Sequence, residues 1–341
     1  MSREVRLGYE RLKGLREADG HDEPARLDRF LASRFPKISR TEFARLIESG
    51  GVRIDGRRAR KGHVLRTGEE IAFAMPDPRR LWRIVPDPDA PLHVWHEDGA
   101  IVCVEKPAGS PCLPLRPDER GTMANALVAR YAELDEIGGP LEAGLLHRLD
   151  TGTSGLLVAA RTADAYDRLR TDWRKGRVEK IYLAVVRGEV RAAGRIAAPL
   201  AQHAKSERRM IIASSAAEPG ALSAHTEYEP VRIAKTRTAD SGVAESGTVE
   251  SRTVERGTET RTLLLVRIRE GRRHQIRVHL ESIGHPVVGD ALYAGRAGEN
   301  APPPPAARLA LHSHRMRFNH PTTGEPLALE SPLPADLEAL L

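Results

Sequence analysis

The chain has 341 residues, 29% of them charged and only 4% aromatic, with a formal net charge of +6. That length accommodates two or three domains, each with its own core. No apolar run approaches a membrane span, and no apolar segment follows Met1–Arg6 to act as a secretory signal, so a cytoplasmic protein with no membrane attachment is expected. Two cysteines, Cys103 and Cys112, exclude a disulfide framework, and Cys103 falls in an apolar strand pattern as a small buried hydrophobe.

Residues 1–24 mix charges with Gly and little apolar periodicity, which predicts a flexible arm. Order is expected from Pro24, with Leu27, Phe30 and Leu31 at helical spacing. Ser39-Arg40-Thr41-Glu42 is a capping box in front of the apolar stripe Phe43, Leu46 and Ile47, and Gly50-Gly51 ends that helix. Val52 and Ile54 alternate as a strand, Asp55-Gly56 signals a tight turn, and Ile71 and Phe73 alternate again. Residues 25–75 hold twelve cations against six anions, an excess equal to that of the whole chain. A basic face of this kind supplies salt-dependent affinity for a polyanion, and Arg40, Arg57, Arg58 and Lys61 are the side chains expected to carry it. The segment resembles an S4 RNA-binding domain in Arg26-Leu27-Asp28-x-Phe30-Leu31, Ser39-Arg40, Val52-x-Ile54-Asp55-Gly56 and Gly68-Glu69-x-Ile71. Asp55 stands where that family often has Asn.

Five prolines among charges make residues 76–92 a linker, and Arg79–Arg83 lies inside it. A larger domain is expected over 93–330. It opens with a hairpin of Val94–Glu97 and Ile101–Val104, followed by Lys106-Pro107-Ala108-Gly109 and a helix from Thr122 to Tyr131. Leu145-Leu146-His147-Arg148-Leu149-Asp150-Thr151-Gly152-Thr153-Ser154-Gly155 then holds a carboxylate, Asp150, on a tight turn ahead of the apolar strand Leu156–Ala159. Ala165, Leu169 and Trp173 predict a helix that Gly176 ends, and Lys180–Val186 is a strand carrying Tyr182. Residues 232–261 contain almost nothing able to bury a core and are expected as a mobile excursion between strands. Leu263–Ile268 is a core strand, and Ile276, Leu280 and Ile283 stripe a helix closed by Gly284. Pro302–Pro305 forms a stiff exposed loop, and 331–341 is a C-terminal tail.

Three of these stretches, in order, resemble the motifs of the RluA-type pseudouridine synthases: His147-Arg148-Leu149-Asp150-x-x-Thr153-Ser154-Gly155, Lys180-x-Tyr182-x-Ala184-x-Val186-x-Gly188, and Gly271-Arg272-Arg273-His274-Gln275-Ile276-Arg277-x-His279. The last departs at Arg273, where the family has Thr. The resemblance implies an α+β fold: a mixed, mainly antiparallel sheet with flanking helices, plus the small N-terminal S4 domain. It also implies that Asp150 is catalytic, that Arg277 pairs with it, and that Tyr182 packs against the target base. Arg148 is expected to hold phosphate or the flipped nucleotide.

Isomerising a uridine in RNA requires an ionised carboxylate as nucleophile or base, a cation to keep it charged in a dry pocket, and an aromatic to hold the freed base. No redox or phosphoryl step is needed, so no cofactor is expected. The spacing of His147, His274 and His279 is not that of a zinc site, so no metal is expected either, and neither a phosphate-binding Gly-rich loop nor a serine elbow is present. The expected partner is RNA, large-subunit ribosomal RNA before tRNA, with the protein acting as a monomer. A non-catalytic S4-type ribosome-assembly factor is the rival from another class, and a nucleoside hydrolase a weaker one.

Overall fold

The computed structural model describes residues 4–8, 26–35, 38, 40–66, 68–74, 83–115, 119–139, 141–218, 220–237, 258–293 and 308–341. Pro24, Ser39 of the expected capping box, Arg79 and Arg80, Pro302–Pro305 and residues 238–257 lie outside this set. The chain divides into two compact units, Met1–Arg83 and Ile84–Leu341.

In the first unit, helices α1 (Leu27–Arg34) and α2 (Arg40–Glu48) pack on a four-stranded sheet of order β1-β4-β2-β3. Its strands are β1 (Glu4–Gly8), β2 (Val52–Ile54), β3 (Arg57–Arg58) and β4 (Glu70–Ala74). The alternating apolar positions meet in one core, where Phe43 lies edge-on to Phe73 at 5.8 Å beside buried Leu27, Leu31 and Ile71. Asp55 and Gly56 both take positive φ, 48° and 75°, as the tight hairpin between β2 and β3 demands. Asp55 also accepts the Glu70 amide at 2.8 Å. Part of the arm expected to be flexible is a strand: residues 4–8 pair antiparallel with β4, Val5 opposite Phe73 and Leu7 opposite Ile71. Their alternation is too short to stand out from the surrounding charges.

The second unit is built on one sheet with strand order β5-β6-β7-β14-β8-β13-β12-β9, β15 pairing the far part of β14. Its strands are β5 (His93–Glu97), β6 (Ile101–Lys106), β7 (Ser154–Ala160), β8 (Glu179–Arg187), β9 (Gly194–Ala197), β12 (His225–Arg237), β13 (Thr258–Ile268), β14 (Leu311–Asn319) and β15 (Pro326–Glu330). A small hairpin of β10 (Leu200–Gln202) and β11 (Met210–Ile212) stands beside it. Every neighbouring pair is antiparallel except β7 with β14, where Ser154 faces His312 and Gly155 faces Ser313. Helices α3 (Met123–Arg130), α4 (Ala163–Arg174), α5 (Gln275–Ser282) and α6 (Ala335–Glu338) flank the sheet.

Covering both faces explains the continuous apolar runs of the central strands. Val102 and Val104 of β6, with Leu157 and Ala159 of β7, belong to one core together with Leu127 of α3 and Leu280 of α5. Ile101, Cys103, Leu156 and Val158 belong to another, with Leu169 of α4. The mixed, mainly antiparallel α+β architecture that the resemblance implies is the one observed.

Three expected boundaries differ. The second half of the expected linker is docked: Ile84 is buried in the main core, and Asn125 donates to the Val85 carbonyl at 2.8 Å. The ends of the expected excursion are strand, Arg232 facing Leu263 and Arg237 facing Thr258, because residues 232–237 and 258–261 extend the β12–β13 ladder without needing a core of their own. The C-terminal tail is fastened too, with Leu337 buried and Arg261 donating to the Leu340 carbonyl at 3.1 Å. Isolated apolar residues such as Ile84 and Leu337 carry no periodicity that would reveal docking.

Candidate active site

The turn before β7 is held from several elements. The Leu146 amide donates to the Val158 carbonyl at 3.0 Å, and the Val158 amide donates to His147 Nε2 at 3.2 Å. His147 stacks on Trp173 at 5.3 Å, and burial holds its pKa well below the ordinary histidine range, so its ring is a neutral acceptor. The Leu149 amide and carbonyl both meet the Cys112 thiol, at 3.2 and 3.4 Å. Thr153 closes the turn by donating its amide to the Asp150 carbonyl at 3.0 Å.

Lys106, fully buried at the end of β6, donates to the carbonyls of Pro107, Ser110 and Thr151 at 2.8, 2.7 and 3.0 Å. It thereby ties the loop after β6 to the Asp150 turn. Gly155 leaves the turn at φ 109°, and a Cβ there would sit 2.3 Å from the Ser313 carbonyl oxygen. Only glycine permits the parallel β7–β14 contact at that point.

Asp150, whose side chain is 24% exposed, accepts Arg277 Nη1 on Oδ2 at 2.8 Å. Arg277 sits in the first turn of α5, and its Nε and Nη2 are taken by Asp290 at 2.6 and 2.8 Å. Asp290 is fully buried and in turn accepts the amides of Leu292 and Tyr293 at 2.9 and 3.1 Å. The Tyr293 ring lies 5.0 Å from the guanidinium. Burial opposes the charge on Arg277, but two carboxylates more than compensate and keep it a permanent cation.

His274, in the left-handed conformation at φ 55°, places Nε2 4.0 Å from Asp150 Oδ1. Its Nδ1 lies 2.9 Å from the Tyr293 hydroxyl, which accepts the Met210 amide at 2.7 Å. With the Tyr293 hydroxyl donating to Nδ1, the imidazole proton is on Nε2, toward Asp150. Burial lowers the His274 pKa, so the ring is neutral at pH 7.

Tyr182 is buried in β8, and burial raises its phenol above the ordinary tyrosine range. It lines a 60 Å³ pocket together with Asp150, Arg148, His274 and Arg277. Arg148, Tyr182, Gly271 and Arg272 also border an adjoining cavity of 650 Å³, whose wall carries Arg170, Arg174, Lys175 and Arg269. The arrangement is a carboxylate held by a guanidinium in a pocket shared with an aromatic, beside a larger cavity with a basic wall. Arg273, the departure from the third motif, leaves the pocket and reaches Gln202 and the Arg208 carbonyl, both at 3.4 Å.

The structure thus brings together Asp150, Arg277, Tyr182 and Arg148. In the first unit, Arg40 is engaged with Asp28 at 2.8 Å, and Arg26 shares that carboxylate. Burial would raise the Asp28 pKa, but bonds from the two arginines hold it below the usual carboxylate range. Arg58 donates to the Glu48 carbonyl at 2.5 Å and Lys61 pairs with the Glu48 carboxylate at 2.6 Å, both at the end of α2. Arg57 is exposed on β3. Lys106, Asp290, His274 and Tyr293 were not among the expected site residues, although Lys106 lay in the quoted Lys-Pro-x-Gly loop and Asp290 follows a glycine turn. Among the described residues, no group of three or more His, Cys, Asp or Glu side chains is placed to hold a metal ion, and no helix is long and apolar enough to cross a membrane.

Residues 100–282 match the family model of the RNA pseudouridylate synthases, and residues 25–71 that of the S4 domain. A protein of Chloroflexus aurantiacus named as an uncharacterized RNA pseudouridine synthase is 37% identical over 93% of this chain and 89% of its own length. The ribosomal large subunit pseudouridine synthase D of Xanthomonas campestris is 33% identical over 96% of this chain and 92% of its own. Among solved structures, human RNA pseudouridylate synthase domain containing 1 is similar in fold, with a TM-score of 0.53, 24% identity, and 72% of this chain and 85% of that chain covered.

Proposed function

The chain belongs to the RNA pseudouridylate synthase family, and on that premise we propose that it isomerises uridine in large-subunit ribosomal RNA with Asp150 as its catalytic residue. The isomerisation breaks the C1′–N1 bond of the uridine and joins C1′ to C5. One proton leaves C5 and one is gained at N1, so the reaction is balanced without a cofactor. Asp150 acts on the sugar, as nucleophile at C1′ or as base beside it. Arg277 pairs with that carboxylate and holds it in place, and Asp290 keeps Arg277 aimed at it. Tyr182 holds the freed uracil by its face. Arg148, exposed between the two cavities, holds the flipped nucleotide or its phosphate.

Arg40, Arg57, Arg58 and Lys61 serve RNA backbone binding, Arg57 most directly because Arg40, Arg58 and Lys61 also have partners within their own unit. Ribosomal RNA is favoured over tRNA by the names of relatives that match over nearly the whole chain. The protein is proposed to act as a cytoplasmic monomer.

The observation that carries this reading is the 2.8 Å pair between Asp150 and Arg277 in a pocket that Tyr182 also lines, a set that a pure RNA binder has no chemical need to keep. The test is to incubate the protein and its Asp150→Asn form with unmodified ribosomal RNA and tRNA transcripts and to map pseudouridine by carbodiimide-dependent reverse-transcription stops. Stops in ribosomal RNA with the wild type alone support the reading. Stops in tRNA alone overturn the substrate, and equal stops from both forms overturn Asp150.

A further inference from the structure

The C-terminal segment, read from the sequence as a tail, is linked through Arg308 to Ser154, at the start of the strand that follows the Asp150 turn. Arg308 meets Asp336 in a two-pronged pair, Nε to Oδ2 at 2.5 Å and Nη2 to Oδ1 at 2.9 Å. Its remaining nitrogen, Nη1, donates to Ser154 Oγ at 3.1 Å. Ser154 is the fourth residue after Asp150, and its hydroxyl is buried. His312, with no exposure at all, places Nδ1 2.9 Å from the same oxygen and Nε2 3.0 Å from the hydroxyl of buried Ser331.

Hydrogen-bond chemistry orders this chain in one direction. An arginine only donates, so Ser154 accepts from Arg308. The Ser154 proton then goes to His312 Nδ1, and His312 Nε2–H donates to Ser331. Every group is satisfied only when His312 is neutral and the guanidinium is held where it is. Asp336 does the holding from α6, which the buried Leu337 anchors in the core. The neighbouring Leu309 closes the same contact, since a Cβ on Gly152 would lie 3.1 Å from the Leu309 Cβ.

We propose that Arg308 and the segment 331–341 form a brace for the turn that carries Asp150, with Arg308 and Asp336 as positioning residues that act through Ser154. The inference rests on the reading that Asp150 works at the reaction centre. A brace of this kind affects rate more than substrate affinity, because small misplacements of a reacting group are costly while the RNA-binding surfaces are untouched.

Asp336→Asn is the first variant, since the side chain is 57% exposed and its loss leaves the core packed. Arg308→Lys, which keeps a charge and loses the fork, is the second. Single-turnover conversion and RNA affinity are measured on one transcript, alone and combined with Ser154→Ala, and amide hydrogen exchange is followed over 150–154. The expected result for each is a loss of about 10-fold in rate with RNA affinity within about 2-fold. The double variants are expected to be no slower than Ser154→Ala alone, and the Thr153 amide to exchange faster while β8 is unchanged. Unchanged rates, additive losses, or unchanged Thr153 exchange overturn the brace. The exchange result stands whatever Asp150 does, so a wild type that makes no pseudouridine overturns the functional reading separately.

Discussion

Asp290 occupies two of the three guanidinium nitrogens of Arg277 and leaves the third, Nη1, for Asp150. The cation paired with Asp150 is thus aimed by a second, fully buried carboxylate. Replacing Asp290 by Asn keeps the shape and removes the charge. The expected outcome is a loss of about 10- to 100-fold in single-turnover rate, as for other outer partners of a reactive centre, with RNA affinity unchanged. A rate within about 2-fold of wild type would show that Arg277 is aimed by packing alone.

Arg277→Lys tests the fork itself. An ammonium on a flexible stem cannot present the paired geometry that two carboxylates take from one guanidinium. Thermal unfolding is expected at lower temperature, because breaking a buried pair costs roughly 3–5 kcal/mol. The conversion rate is expected to fall by more than in Asp290→Asn, since Asp150 loses its partner directly.

Gly155→Ala places a methyl group against the Ser313 backbone at a φ that L-residues rarely adopt. Strain of this kind costs about 1–3 kcal/mol before the clash is relieved by parting β7 from β14. A lowered melting temperature together with a lost conversion rate is expected. Gly56→Ala, in the hairpin of the first unit with open space around it, is expected to cost stability without abolishing the conversion.

His312 gives a pH signature. Burial, with help from Arg308 and His314, lowers its pKa to about 4, while Asp336 and the Ser331 carbonyl oppose the shift. An unfolded histidine titrates near 6.5, so between that pH and about 4 the unfolded chain binds the extra proton. Stability contributed by the neutral ring is therefore complete above 6.5 and is lost as pH falls, by up to roughly 1.4 kcal/mol per pH unit. Denaturant unfolding of wild type and His312→Gln between pH 7 and 4 is expected to show a shallower decline in the variant. Parallel curves would mean that His312 takes up its proton without disturbing the fold.

In the first unit, Arg57→Ala and Arg40→Ala are expected to separate binding from folding. Each backbone contact removed lowers the slope of log affinity against log salt by about 0.7–0.9. Arg57→Ala is expected to do this with no change in melting temperature. Arg40→Ala is expected to lower the melting temperature as well, because Asp28 loses a partner.

Much of the fold was legible because periodicity reports burial directly. The stripes of α2 and α4 and the apolar runs of β6, β7 and β13 fall where the sequence puts them, whereas Ile283, expected on the stripe of α5, lies just past that helix and is exposed. Asp150 and Arg277 lie 127 positions apart, and only the resemblance of their motifs to a known family joined them before the structure showed them in contact. Asp290 and Lys106 escaped notice for the opposite reason. Each acts on backbone or on another side chain across the fold, and a Gly-Asp turn or a Lys-Pro loop looks the same whether or not such a partner exists. The docking of residues 84–90 and of the C-terminal segment was missed because single apolar residues leave no pattern.

The Cys112 thiol against Leu149 gives the chain a built-in probe of the turn that carries Asp150. Its sulfur is expected to meet a labelling reagent if that turn lifts, whereas Cys103, buried in β6, is expected to do so only if the sheet comes apart. Burial pushes the Cys103 thiol up to about 12 and raises Cys112 as well, so neither is intrinsically reactive while covered. The ratio of the two alkylation rates therefore separates opening of the site from loss of the fold, using the two cysteines the chain already has.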